Sequence, residues 1–307
     1  MSPEAEIRAV AALVSVSCAV IGTFLVLRGK AMAADSISHS ILPGIVAGFL
    51  LTGSLSSPLI VPFVFAAALL SAFLSETLSR SRLMSADSSI AFVYPFLFSA
   101  GVILVSKYAG KAHLDVDSVL LGEIAFAPLD RLTWGGADLG PVSLYSAGAA
   151  ALACLLFVSL FYKELKMSTF DETAARTAGL SGRVLSACFW AVVCFTCVSA
   201  FSAAGSVMLI ALITTPPCCA LLLTDRLSSA LVLGAAFGAF GAFAGFEAAA
   251  HFNTNIAGAV VTVLGAVFLV VLAFAPKKGL VARALRRRAQ RAEIKAALAS
   301  ARRGACV

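Results

Sequence analysis

The chain is 307 residues long, 60% of them hydrophobic and only 13% charged, with a mean hydropathy of +0.98. So few charged side chains cannot coat a soluble globule, which excludes a water-soluble enzyme or binding module and points to an integral membrane protein. The formal charge of +7 does not signal a nucleic-acid binder, because the basic residues gather in alternate loops and in the last thirty residues with no aromatic side chains interleaved.

Apolar runs long enough to cross ~30 Å of hydrocarbon recur along most of the sequence, so a single polytopic all-α domain over residues 1–276 and a basic tail over 277–307 are expected. The start, with Glu4 and Glu6 and no basic stretch, reads as a retained first helix rather than a cleaved signal peptide. Nine spans are predicted, near 7–27, 36–54, 58–77, 88–107, 142–162, 184–203, 205–223, 229–250 and 256–275. The sixth and seventh abut at Ala203–Gly205 with almost no polar connector, so a single helix with a re-entrant piece, giving eight spans, is the alternative reading. With the N-terminus outside, the inner loops hold Arg28, Lys30, Arg80, Arg82, Lys163, Lys166, Arg176, Arg183 and Arg226. The outer loops hold only Arg8, Lys107, Lys111 and Arg131. Nine cations against four assign the tail to the cytoplasm by the positive-inside rule. That tail reads as a solvated or lipid-facing segment, drawn to anionic membrane lipid.

In the second span the sequence Asp35-Ser36-Ile37-Ser38-His39-Ser40-Ile41-Leu42-Pro43-Gly44 sets an aspartate and a histidine four residues apart, hence on one helix face. Ionisable groups inside a span are costly and face one another or a water path. Carboxylate plus imidazole suits a divalent first-row metal such as manganese, zinc or iron, with too few oxygens for calcium. The competing reading is structural, with Asp35 capping the helix and His39 bonded to it. Pro43 and Gly44, one turn later, loosen the backbone and could bare carbonyl groups to an ion.

The loop from Lys107 to Leu139 carries His113, Asp115, Asp117, Glu123, Asp130 and Asp138, and reads as a solvated, mildly acidic outer surface. The segment Phe170 to Leu180 on the inner side reads as a short helix with an acidic start, closed by a glycine cap and displayed to another protein. The cysteines at 18, 154, 188, 194 and 197 fall within apolar spans and read as small packing residues. Pro216 and Pro217 interrupt a helical ladder in mid-membrane, a break of the kind that lines a cavity. Glu247 lies about a turn inside the eighth span, where burial would require a partner, and is a second candidate for the ion path.

The motif at Asp35–Gly44 is similar to the Asp-Ala-Leu-Ser-His-Ala-Val-Leu-Pro-Gly element of the permeases of bacterial ABC importers for zinc, manganese and iron chelates. Phe170–Leu180 resembles their Phe-Asp-x-x-x-Ala-x-x-x-Gly-Leu coupling element, and Gly205–Ala220 resembles their Gly-x-x-Leu-x-x-Ala-Leu-Leu-x-x-Pro-Ala-Ala-x-Ala run. The resemblance covers nearly everything from Arg28 to Pro276. Ala34 stands where a glycine is usual, and Pro217-Cys218-Cys219 replaces small residues. The resemblance implies a permease of the bacterial cytoplasmic membrane carrying manganese, zinc or iron as cargo, with no permanently bound cofactor. Its implied partners are a cytoplasmic ATPase dimer, an extracytoplasmic metal-binding protein, and a second permease copy or a sister permease. Asp171, Glu172, Ala175 and Gly179 would be the coupling residues. The chain has no G-x-x-x-x-G-K-[ST] run, so ATP hydrolysis is expected from the partner. A carrier driven by an ion gradient, for a metal or another small solute, is the rival. It would also place ionisable groups in spans but would not need the inner acidic-to-glycine loop.

Overall fold

A computed structural model describes residues 3–53, 57, 59–81, 84–109, 124–134, 137–177, 182–276, 278–284, 286–287 and 290. In the bilayer a main-chain polar group has no water to turn to, so apolar runs of this length become helices that bond internally. Helix α1 (Pro3–Leu27) begins with proline in its first turn beside Glu4 and Glu6, the residues that suit an N-terminus. It stops in a Schellman turn, in which Lys30 N–H donates to the Leu25 carbonyl (2.8 Å) and Gly29 N–H to that of Val26 (3.1 Å). Gly29 takes the left-handed conformation (φ 66°) that this turn demands of its C′ residue.

Next come α2 (Ala33–Thr52), α3 (Ile60–Arg80) and α4 (Ala86–Leu104), the last capped by Ser85 and running on into a π-helical turn at Val105–Ala109. On the far side, a 3-10 turn at Ile124–Leu129 leads into a two-stranded antiparallel hairpin, β1 (Arg131–Trp134) and β2 (Ala137–Pro141). This small sheet is an addition to the expected all-α fold. In sequence its strands are separated by Gly135-Gly136, a pair with the φ freedom that short hairpin connections need. Then follow α5 (Val142–Leu160), α6 (Tyr162–Phe170), α7 (Glu172–Thr177), α8 (Gly182–Leu223), α9 (Leu227–Phe252) and α10 (Ile256–Phe274).

Among the described residues eight helices are long and apolar enough to cross a membrane. One of them, α8, has 42 residues, which drawn straight would measure about 63 Å, twice the hydrocarbon thickness. It is not straight: Gly205, at φ 78° and ψ 173°, leaves the helical region and divides it into two arms. The neighbours of α8 show that the chain reverses there. Arg8 at the start of α1 bonds Glu247 near the end of α9, so these two helices are antiparallel and Leu227 lies at the α1 C-terminal end. Phe24 of α1 packs against Phe189, bringing the start of α8 to that same end. Both ends of α8 therefore share one face, as the two predicted spans meeting at Gly205 require. That face carries Arg28, Lys30 and Arg80 and is cytoplasmic by the positive-inside rule.

Helix α1 is the centre of the bundle. Of its apolar window 72% is buried, against 11% for α10 at the periphery. It is wrapped by α5, α8 and α9, and apolar helices meeting in lipid depend on close approach because no hydrophobic gain separates protein from tail. The closest approach is at Gly22, where a Cβ would collide with the carbonyl of Ile213. That carbonyl is the one a helix would pair with the N–H of residue 217, and Pro217 has none. The proline break, expected to line a cavity, is here taken up by packing: Pro216 and Pro217 are buried and the released Ile213 oxygen rests on Gly22.

Gly22→Ala is expected to lower stability by about 1–3 kcal/mol through overpacking, seen as a lower melting temperature in detergent. Gly265→Ala, where the added methyl meets nothing within 4 Å, should melt at or above the parent temperature.

Candidate functional site

Asp35 and His39 lie on the first two turns of α2, with His39 Nε2 3.3 Å from Asp35 Oδ1 and both side chains partly open, at 25% and 28% exposure. The residue preceding the helix is Met32, and no side chain caps this end. The capping alternative for Asp35 thus has no hydrogen bond behind it, and His39 is the side chain that Asp35 meets. His39 is held from the other side by α4, its ring 5.5 Å from that of Tyr94 and edge-on to Phe98 at 5.7 Å. The intervening serines face inward and settle their own hydroxyls. Ser38 donates to the Ala34 carbonyl (2.8 Å) and Ser40 to that of Ser36 (2.6 Å), while Ser36 and Ser40 both meet Ser71 of α3.

Pro43 acts on the same residue that carries the imidazole. In an unbroken helix the N–H at position 43 would bond the carbonyl of His39, and proline has no N–H to give. Gly101 of α4 accommodates the proline ring, since a Cβ there would stand 2.9 Å from Pro43 Cδ. Gly44 lets α3 close on the other side, where a Cβ would come within 2.6 Å of the Phe63 carbonyl. One helix turn therefore offers a carboxylate, an imidazole and a carbonyl relieved of its usual partner. His39 lies six residues into α2, about 9 Å from its cytoplasmic end. Among the described residues no group of three His, Cys, Asp or Glu could hold a metal ion, so further donors to an ion here would be main chain, water or another chain.

Glu247 stands elsewhere. It is 61% exposed at the opposite face and forms a 2.8 Å ion pair with Arg8, whose guanidinium also lies 4.7 Å from the ring centre of Phe246. It finds the partner that its position called for, Arg8 at the start of α1, yet on an exposed side chain rather than a buried one. Nearby, Glu6 is 3% exposed and bonds Arg131 of β1 at 3.3 Å, tying the hairpin to the start of α1. Of the outer-loop ionisable residues, His113, Asp115, Asp117 and Glu123 lie outside the described residues.

The inner loop folds as anticipated in its first half. Asp171 caps α7, accepting from Ala174 N–H at 2.9 Å and from the Thr173 hydroxyl. Those two hydrogen bonds, the hydroxyl first, hold its carboxyl below the ordinary range. The cap is therefore complete at neutral pH and is lost only in acid, as pH falls through the depressed value. Ala175 is buried beneath the helix. Gly179, expected to close it, and the Glu172 side chain lie outside what the structure describes.

Sequence reading missed the residues that join this loop to the bundle. Arg28, just past α1, donates from Nε to Thr169 Oγ1 (3.1 Å) and from Nη2 to Ser168 Oγ (3.0 Å), with its guanidinium 4.2 Å from the Phe189 ring centre. Two residues on, Lys30 forms a short ion pair with Glu76 of α3, which also accepts from Arg80 at 3.0 Å. The signal was an Arg-Gly-Lys run directly after a span. Its cations also satisfy the positive-inside pattern, which gives no hint of a side-chain partner.

These features define a polytopic membrane protein, helical among the described residues apart from one small hairpin. Residues 5–275 match the ABC 3 transport family, and the chain belongs to it. It is 43% identical over 94% of its length to the zinc transport system membrane protein TroD of Treponema pallidum, covering 78% of that protein. It is 40% identical to the manganese transport system membrane protein MntD of Bacillus subtilis, over 93% of this chain and 97% of that one. The chelated iron transport system membrane protein YfeC of Yersinia pestis is 31% identical over 92% of the chain and 90% of its own length. In fold the chain is similar to PsaBC from Streptococcus pneumoniae, solved in complex with Fab, at a TM-score of 0.75 and 22% identity, covering 94% of this chain and 96% of that one.

Arg28→Lys keeps the charge but loses the planar fork that serves two acceptors. Limited proteolysis between residues 168 and 183 should then run roughly three- to tenfold faster, the loss of about one net hydrogen bond, with the helical bundle left intact.

Proposed function

We propose that this chain is the membrane-spanning subunit of a bacterial importer that carries a divalent transition metal across the cytoplasmic membrane, driven by ATP hydrolysis in a separate subunit. The observation that carries the reading is the Asp35–His39 pair on a partly open face of α2, with the His39 carbonyl relieved by Pro43. Nitrogen and oxygen donors of that kind suit manganese, zinc and iron alike. The names of the relatives divide among the same three metals, which supports the class without choosing within it.

Two donors with one carbonyl fall short of a closed coordination shell. Such a partial set fits a translocated ion, which must be held strongly enough to shed water and weakly enough to leave. A second permease, identical or a sister chain, would bring a further set across the interface. Asp35 and His39 sit toward the cytoplasmic end, so they are assigned to a late station of the path rather than to capture from outside. Capture would fall to an extracytoplasmic metal-binding protein. The Arg8–Glu247 pair closes its own charges at the opposite rim and is assigned there to structure rather than to ion transfer. The Asp171-capped α7, with Ala175 packed beneath it, is the surface offered to the ATPase, with Glu172 and Gly179 as its remaining elements. The Arg28 contacts support that assignment, because they fasten this loop directly to α1.

Cells carrying Asp35→Asn or His39→Ala should show at least a tenfold loss of radiolabelled manganese or zinc uptake at unchanged membrane abundance. The asparagine would still serve a structural helix start, so normal uptake in Asp35→Asn would refute the ligand assignment.

In the assembled transporter, Asp171→Ala should break the link between ATP hydrolysis and uptake, whereas Asp171→Asn, which caps as well, should largely preserve it. Equal transport by the alanine variant would remove α7 from the coupling surface.

A further inference from the structure

At the cytoplasmic ends of α1, α3 and α8 lies a cavity of about 410 Å³ whose charged lining, among the described residues, is Arg28, Lys30 and Arg80 against the carboxylate of Glu76. Its floor is the end of α6, Ser168–Phe170, together with Ala175 of α7. Three cations to one anion leave a net positive pocket even with Glu76 fully engaged by Lys30 and Arg80. A second hollow of about 430 Å³ continues from it along α3, sharing Glu76, Arg80, Ser186 and Trp190 with the first. Beyond those shared residues this hollow is walled by Leu69, Ala72, Phe73, Thr77 and Ala187, none of them charged. From Glu76 to Leu69 is seven residues of helix, about 10 Å into the bilayer. Its lip is open, since Phe73 is 67% exposed and Leu70, next to it on α3, is also exposed.

A cationic chamber at the membrane boundary that opens into an apolar slot on the bilayer side has the polarity of a phospholipid. We propose that this pair of cavities binds one anionic phospholipid of the cytoplasmic leaflet. Its phosphate lies at the Arg80, Lys30 and Arg28 end, and one acyl chain follows the Leu69–Phe73–Trp190 slot. Charge complementarity selects an anionic headgroup, because basic pockets beside transmembrane helices on the cytoplasmic side attract such lipids. The length of the slot sets the requirement for an acyl chain and separates this ligand from free phosphate. Since the chamber is floored by the segment that precedes α7, a bound headgroup would rest directly on the loop fastened by Arg28.

The test is native mass spectrometry of the full chain purified with its ATPase partner and titrated with phosphatidylglycerol or phosphatidylcholine. The parent complex should retain phosphatidylglycerol at least tenfold more tightly. Arg80→Gln changes a half-exposed residue at a helix end and should lower phosphatidylglycerol retention at least fivefold while leaving phosphatidylcholine unaffected. Thr77→Trp, which fills the slot from its exposed wall, should lower retention of both lipids, and unchanged melting temperatures would confirm that both variants are folded. Equal retention of the two lipids by the parent overturns the proposal, as does retention unmoved by both variants. Displacement by inorganic phosphate as effective as by phosphatidylglycerol would make the chamber an anion pocket without a lipid. Thr77→Cys cross-linking two permease copies would make the slot a protein interface instead.

Discussion

An apolar helix surrounded by other apolar helices in lipid gains nothing from exclusion of water, so its place in a bundle rests on how closely backbones can approach. For this chain that constraint is concentrated at α1 and most sharply at Gly22, against which the Ile213 carbonyl comes to rest. The contact joins the central helix to the returning arm of α8. The same α8, through Phe189 and Trp190, supplies the aromatic faces on which Arg28 and Lys30 lie. Loosening the crossing at Gly22 would therefore disturb the charged cluster at the cytoplasmic face as well as the core.

Prolines serve two purposes in this architecture, and the difference is in what becomes of the carbonyl each one orphans. The oxygen freed by Pro217 is pressed against a glycine of a neighbouring helix, a packing solution. The one freed by Pro43 belongs to the residue whose imidazole faces Asp35, on the partly open side of α2. The same backbone defect is filled by a neighbouring glycine in α8 and lies beside an ionisable pair in α2.

Much of this was legible in the residues themselves. Hydropathy marked every crossing segment to within a few residues. Even the reversal inside α8 showed at Ala203–Gly205, because two full spans abutted there with a glycine between them. The pairing of Asp35 with His39 followed from helical spacing alone. What could not be read were interactions between segments far apart in the chain. Arg28 with Ser168 and Thr169, Glu6 with Arg131, and Lys30 with Glu76 each join positions that spacing along one helix never compares. Glu247 shows the limit from the other direction: its place about a turn inside a span was legible, but its exposure and its pairing with Arg8, far away at the start of α1, were not.

The connector between α1 and α2 spans only residues 28–32, and its geometry is tightly prescribed. The Schellman turn fixes its start, Arg28 fastens it to the loop below, and Lys30 fastens it to α3. Five residues held at so many points have little slack with which to absorb a displacement. In mechanical terms it is a stiff strut, and its upper end is the first turn of α2, where Asp35 lies seven positions beyond Arg28.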